Sequence, residues 1–221
     1  MPRTNPPSHG AKETRNFRGR VELRAKSDPA GPGVLVGLAA PYYDGTPATE
    51  FELWPGVYER YIAGCFDRVG EDDVRCLYNH EECKLLGRTA SKTLTLDVTD
   101  RGLEYTCELP DTETAREVIA LTTRGDLTGS SCGFFVRSER WLIERADDGT
   151  EREIRELVDL SVFDVSPVTY PAYAGTEAGT RAASAADEAL RSYAAWRAEA
   201  STKLYDLALA RLSAAALDTL A

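Results

Sequence analysis

Residues 153–166 (EIRELVDLSVFDVS) carry large apolar side chains on both faces of an extended chain. Ile154, Val158, Leu160 and Val162 share one face; Leu157, Phe163 and Val165 share the other. A strand half-exposed to solvent alternates apolar and polar residues, whereas one that is apolar on both faces belongs inside a sheet with material packed on either side. The segment therefore demands a central strand. It also carries two acids, Asp164 on the first face and Asp159, with Ser161, on the second. A carboxylate placed there needs a partner, because an unpaired buried charge is costly. An arginine, backbone amides or an imidazole that becomes cationic would each serve.

The rest of the pattern is β-rich. Around Asp100-Arg101-Gly102, residues 93–109 alternate twice: Leu94, Leu96 and Val98, then Leu103, Tyr105, Cys107 and Leu109. That predicts an antiparallel hairpin with one buried face. A helix is expected next, with Asp111 as N-cap, Ala115, Val118, Ile119 and Thr122 on one face, and Arg124 and Gly125 at its end. Strands are predicted at 34–43 (VLVGLAAPYY) and 132–144, the latter joined to the central strand by an acidic turn, Asp147-Asp148-Gly149. Residues 1–16 read as a disordered, mildly basic arm, 17–175 as the folded domain, and 176–221 as a linker (Gly175 to Gly179) leading into an amphipathic, alanine-rich helical tail. There are no internal repeats. The fold class is α+β, β-rich with flanking helices.

Composition removes several classes of function. The 221 residues carry a net charge of -10, the opposite of what a dedicated nucleic-acid binder presents to phosphates. No apolar run approaches the roughly 18 residues of a membrane span, and the first twenty residues lack the apolar core of a secretory signal. The five cysteines are odd in number and show no C-x-x-C spacing, which fits reduced cytosolic thiols. With two histidines and no paired ligand spacing, the chain offers no zinc site, and no metal or organic cofactor is expected.

Three segments could carry chemistry. Histidine is the usual general base near neutral pH. His9 lies in the arm, which leaves His80, in CLYNHEECKLLGR, at the polar end of an apolar strand; a surface turn histidine is the plain alternative. GDLTGSSCGFF at 125–135 places a small serine pair, Ser130 and Ser131, between glycines, where substrate backbone could approach and backbone N–H groups could face an oxyanion. It is not a G-x-S-x-G elbow, since Gly129 and Gly133 enclose three residues, and an ordinary loop-to-strand junction would look similar. The third segment is the acidic central strand, ending FDVSPVTYPAY.

In this order and spacing, GLAAPYYD, VYERYIAGCFDRV, NHE with LLGR, GDLTGSSCGF and FDVSPVTYPAY resemble the prohead (capsid maturation) serine protease family of tailed bacteriophages, over roughly residues 20–175. That family is related in fold to the herpesvirus assembly proteases, so the resemblance implies a herpesvirus-protease-like barrel. Carried over by position, the family's histidine falls on His80. Its serine, which precedes a variable residue, a glycine and a phenylalanine, falls on Ser131 rather than Ser130. The third position falls on Asp164, where the family more often has glutamate; the shorter aspartate requires a closer approach to His80. Glu156 and Asp159 are the reserve acids, and Cys132 occupies the variable position. The resemblance implies an endopeptidase that cuts capsid protein and its scaffold segment inside the assembling procapsid, in the host bacterial cytoplasm, and then cleaves itself. Homodimerisation is an open expectation, and neither nucleic acid nor membrane is expected as a partner. Two other readings remain: a catalytically silent scaffolding or capsid-associated protein of the same fold, and an unrelated β-rich binding domain in which His80 and Ser131 never meet.

Overall fold

The computed structural model describes residues 12–17, 21–24, 33–145, 149–170, 189–200 and 202–203. The chain divides into two compact units, Met1–Ala185 and Ala186–Ala221. In the second, residues 189–200 are helical, consistent with the alanine-rich pattern, while the expected linker at 175–179 and the later apolar positions of the tail lie outside the described residues. Among the described residues, no helix is long and apolar enough to cross a membrane.

Among its described residues the first unit holds eleven strands and one α-helix. In chain order they are β1 (Glu13–Phe17), β2 (Val21–Arg24), β3 (Val34–Pro41), β4 (Phe51–Trp54), β5 (Val57–Tyr61), β6 (Arg75–Leu77), β7 (Leu85–Arg88), β8 (Leu94–Thr99), β9 (Gly102–Glu108), α1 (Glu113–Arg124), β10 (Gly129–Arg145) and β11 (Glu151–Val168). One sheet runs β1-β10-β11-β5-β4, with β6 also on β11 and β7 on β6; the other runs β2-β3-β9-β8.

The central strand is where its two-sided apolarity placed it. β11 pairs antiparallel with β10 along one edge. Its other edge is shared: β5 runs parallel to Glu153–Leu157 and β6 parallel to Asp164 and Val165. The expected barrel is not what forms: the described strands lie in two separate sheets, and the larger one is left open, with β1 at one edge and β4 and β7 at the others.

The hairpin at 93–109 forms as β8 and β9. Leu94, Leu103, Tyr105 and Cys107 are buried on its inner face, but Val98, at the turn end, is exposed. The helix also forms, with one correction: Thr112, not Asp111, is its N-cap, since the Thr112 side chain accepts from the Ala115 N–H. Gly125 closes it in the left-handed conformation (φ 83°) that glycine adopts without strain. Between the sheets Tyr61, Phe66 and Phe134 are fully buried, with Tyr61 stacked on Phe66 at 5.4 Å and edge-on to Phe134 at 5.6 Å. Each such ring contributes about 1.5–3 kcal/mol by leaving water.

A second correction concerns the N-terminal arm. Residues 13–16, read from composition as disordered, belong to β1, which pairs with β10 from Glu13 opposite Phe134 to Phe17 opposite Ser130. What composition cannot reveal is the destination of their charges. Arg155, only 1% exposed, bonds Glu13 at 2.8 and 3.0 Å, Glu59 at 2.7 Å and Glu139 at 2.7 Å. Arg15 reaches the same Glu59 at 2.5 and 3.0 Å and Glu13 at 2.7 Å. Burial alone would raise the Glu59 carboxyl, but the two guanidiniums outweigh it and hold the group below the ordinary carboxylate range.

A lowered folded-state pKa gives stability that is present above the ordinary carboxylate range and lost as pH falls through and below it. Urea midpoints measured against pH should therefore fall more steeply below about pH 4 for the wild type than for Glu59→Gln. The variant starts lower at neutral pH, and the two curves converge on acidification; parallel curves would show that the network does not act through Glu59.

Candidate active site

Two strands deliver the acid and the imidazole to one place. Because β6 runs parallel to the end of β11, Asp164 lies opposite Arg75, and the chain leaving β6 turns back at Tyr78 to Lys84 beside the last residues of β11. Asn79 and His80 both adopt left-handed backbone, at φ 55° and 58°. Such a conformation costs roughly 1–2 kcal/mol per residue outside glycine, least for short polar side chains. It is held by a clamp on the chain after β11. The Asn79 N–H donates to the Pro167 carbonyl at 3.1 Å, the Asn79 side-chain oxygen accepts from the Thr169 N–H at 2.9 Å, and its amide donates to Thr169 Oγ1 at 3.1 Å.

The clamped imidazole spans two side chains. His80 Nδ1 lies 2.5 Å from Asp164 Oδ1, and His80 Nε2 lies 2.5 Å from Ser131 Oγ. A carboxylate against Nδ1 keeps the proton there and leaves Nε2 to accept. Ser166, buried two residues beyond Asp164, donates from Oγ to Asp164 Oδ1 at 3.0 Å and stands 3.3 Å from His80 Nδ1. The three residues singled out in the sequence are therefore brought together. The short side chain of Asp164 reaches because β11 and β6 are direct neighbours.

The other candidates are engaged elsewhere. Asp159 pairs with Arg68 at 3.2 Å and Arg137 at 3.4 Å, and Glu156 pairs with Arg140. Ser130 points to the Tyr105 hydroxyl, 3.3 Å away. Cys132 is fully buried, and burial raises its thiol well above the ordinary range, so it does not form a thiolate at neutral pH. His9 lies outside the described residues.

The strand expected at 132–144 begins earlier: β10 starts at Gly129, so the serine pair is not at a loop-to-strand junction, and Ser131 lies within the strand between β1 and β11. The backbone at 131–133 is thus part of a strand ladder rather than a turn that gathers N–H groups. The glycine after it has a different purpose. A Cβ on Gly133 would stand 2.7 Å from Asp164 Oδ2 and 2.6 Å from the Phe163 ring, so only glycine lets Asp164 lie across β10.

Ser166 and Asn79 were missed as contributors. Ser166 carried a usable signal, since a residue two beyond Asp164 shares its strand face. Asn79 carried a weaker one, as a residue type that tolerates left-handed backbone.

Comparison with known proteins gives a family and a structural likeness. The model of a family described as Caudovirus prohead serine protease matches residues 43–190. Among solved structures, that of the bacteriophage T4 capsid assembly protease, gp21, is similar with a TM-score of 0.45 and 8% identity, covering 72% of this chain and 98% of that one. No curated protein matches.

Gly133→Ala should push Asp164 off His80 while leaving both groups in the chain. The downfield proton resonance of a carboxylate-bonded His80 Nδ1–H, seen by NMR of imidazole-labelled protein, should be present in the wild type and lost in the variant. An unchanged resonance would show that β10 yields to the added methyl group.

Proposed function

The chain belongs to the Caudovirus prohead serine protease family, and we propose that it is a serine endopeptidase that trims capsid protein and its scaffold segment inside the immature phage shell and also cleaves itself. The observation that carries this reading is the His80 ring, 2.5 Å from Ser131 Oγ on one side and 2.5 Å from Asp164 on the other. The unrelated binding domain has no support, because it required His80 and Ser131 to lie apart.

In the proposed reaction Ser131 Oγ attacks the carbonyl carbon of the scissile peptide as its proton passes to His80 Nε2. The resulting imidazolium is stabilised by Asp164, whose carboxylate stays ionised and fixes the ring. Collapse of the tetrahedral adduct breaks the C–N bond, and His80 hands its proton to the departing amine. Water then enters, gives a proton to His80 and adds to the acyl-enzyme; the ester breaks, and Ser131 Oγ recovers the proton. Asn79 and Ser166 act through His80 and Asp164, as positioning residues. The enzyme would work in the bacterial cytoplasm within the procapsid, as a monomer or a homodimer, with the capsid protein as its partner.

Co-expression with the capsid protein of the same phage tests the proposal. Wild type should trim the capsid protein, and Cys132→Ala should trim it too. Ser131→Ala and His80→Ala should leave it full length, and Asp164→Asn should lower kcat by about 10⁴-fold. Trimming by Ser131→Ala would mean the cut is made elsewhere; intact capsid protein with every form would favour the catalytically silent scaffold.

A further inference from the structure

The serine of the proposed triad is completely buried, with 0% of its surface exposed. What covers it is β1. Asn16 lies opposite Ser131, Arg15 opposite Cys132 and Thr14 opposite Gly133. The Arg15 carbonyl oxygen accepts from Ser131 Oγ at 3.0 Å. A peptide carbonyl of this chain thus stands at the nucleophile, presented by an extended segment paired in β-geometry. We infer that β1 is an intramolecular stand-in for the substrate strand: it holds the edge of β10 on which an extended peptide must lie, and the enzyme acts on other chains only after β1 has left. This inference rests on the protease reading of the site.

Three further observations support it. The first is the serine proton. One hydroxyl proton faces two acceptors, His80 Nε2 at 2.5 Å and the Arg15 carbonyl at 3.0 Å. When it goes to Arg15, His80 can no longer take it as general base. The contact is to the carbonyl oxygen, an arrangement that ties up the hydroxyl rather than aiming it at the carbon.

The second is the cleft beside the triad, about 520 Å³, whose walls include His80, Asp164, Phe163 and Leu85 together with Lys12 and Thr14. Lys12 sets its ammonium 5.2 Å from the centre of the Phe163 ring and 3.7 Å from Glu82. The same short segment therefore covers the nucleophile and borders a cavity, next to His80 and Asp164, that could take a side chain. With β1 gone, alternate N–H groups of β10 on that edge become free to pair with an incoming strand, the usual mode of strand addition.

The third is how β1 is held. Glu13 and Arg15 contribute one negative and one positive charge to the buried network, so their departure leaves Arg155 still bonded to Glu59 at 2.7 Å and to Glu139 at 2.7 Å. Releasing the strand does not strand an unpaired charge in the core, which would otherwise make release prohibitive. The vacated sites, a guanidinium and a carboxylate, favour a replacement strand with an acidic and a basic side chain two positions apart, as in Glu13-Thr14-Arg15.

The test is the rate at which a fluorophosphonate labels Ser131, with Ser131→Ala as background. In the full chain carrying Glu13→Ala and Arg15→Ala, labelling should be about tenfold faster or more, as the uncovered population grows. A second form removes doubt about folding: a site for a specific protease inserted after Phe17 allows β1 to be cut free once the chain has folded, and cutting should raise the rate likewise. A peptide spanning residues 12–17 should then slow labelling of the cut form, and the same peptide with alanine at the Glu13 and Arg15 positions should not. Equal labelling of intact, substituted and cut chains, or a peptide without effect, would overturn the inference while leaving the protease reading in place. No labelling of Ser131 in any folded form would overturn both.

Discussion

Everything at the site depends on the register in which β11 holds β10 on one edge and β6 on the other. On the first edge Asp164 lies opposite Gly133, two residues beyond Ser131. On the second it lies opposite Arg75, five residues before His80. One strand thus brings Asp164, His80 and Ser131 together through its pairing on both edges, with the Asn79 clamp fixing the turn that carries His80. A slip of one residue would turn Asp164 to the other face and put Phe163 or Val165 in its place. The irregular pairing at this point fixes the register: Phe163 is passed over between Val162, opposite Phe134, and Asp164, opposite Gly133, so Val162 and Val165 both pack into the core with Phe134 and Cys132.

The charges of the interior serve the same strand. Arg155 lies on β11, Glu59 on the parallel β5, Glu139 on β10 and Glu13 with Arg15 on β1, so the buried network ties four adjacent strands across one sheet. Such a cluster adds little net stability over a well-packed apolar core, but it penalises wrong pairings strongly, since any misaligned strand leaves a charge unmatched. The left-handed turn at Asn79 and His80 is a smaller cost of the same kind, offset by the clamp to Thr169.

Much of this was legible in the sequence because it follows from periodicity. The central position of β11 came from its two apolar faces, and the β8–β9 hairpin from alternation around Gly102. His80 was reached by elimination, while Ser131 rather than Ser130 came from family register. What stayed hidden depends on contacts far apart in the chain. Composition made residues 13–16 look disordered because they lack large apolar side chains; the partners that order their charges, Glu59 and Arg155, lie many residues away. The serine pair fell outside the strand expected at 132–144, because its flanking glycines suggest a break before that strand, but Gly133 is there for the close approach of Asp164. The barrel expectation failed because no local pattern shows which strands will pair, and the described strands divide into two open sheets.

The central claim is that Ser131, activated by His80, is the nucleophile. Peptide mapping after exhaustive reaction with a fluorophosphonate tests it most directly. The account predicts a single phosphonylated residue, Ser131, with the adduct abolished by His80→Ala. An adduct on Ser130, or one on Ser131 that forms equally well without His80, would contradict it.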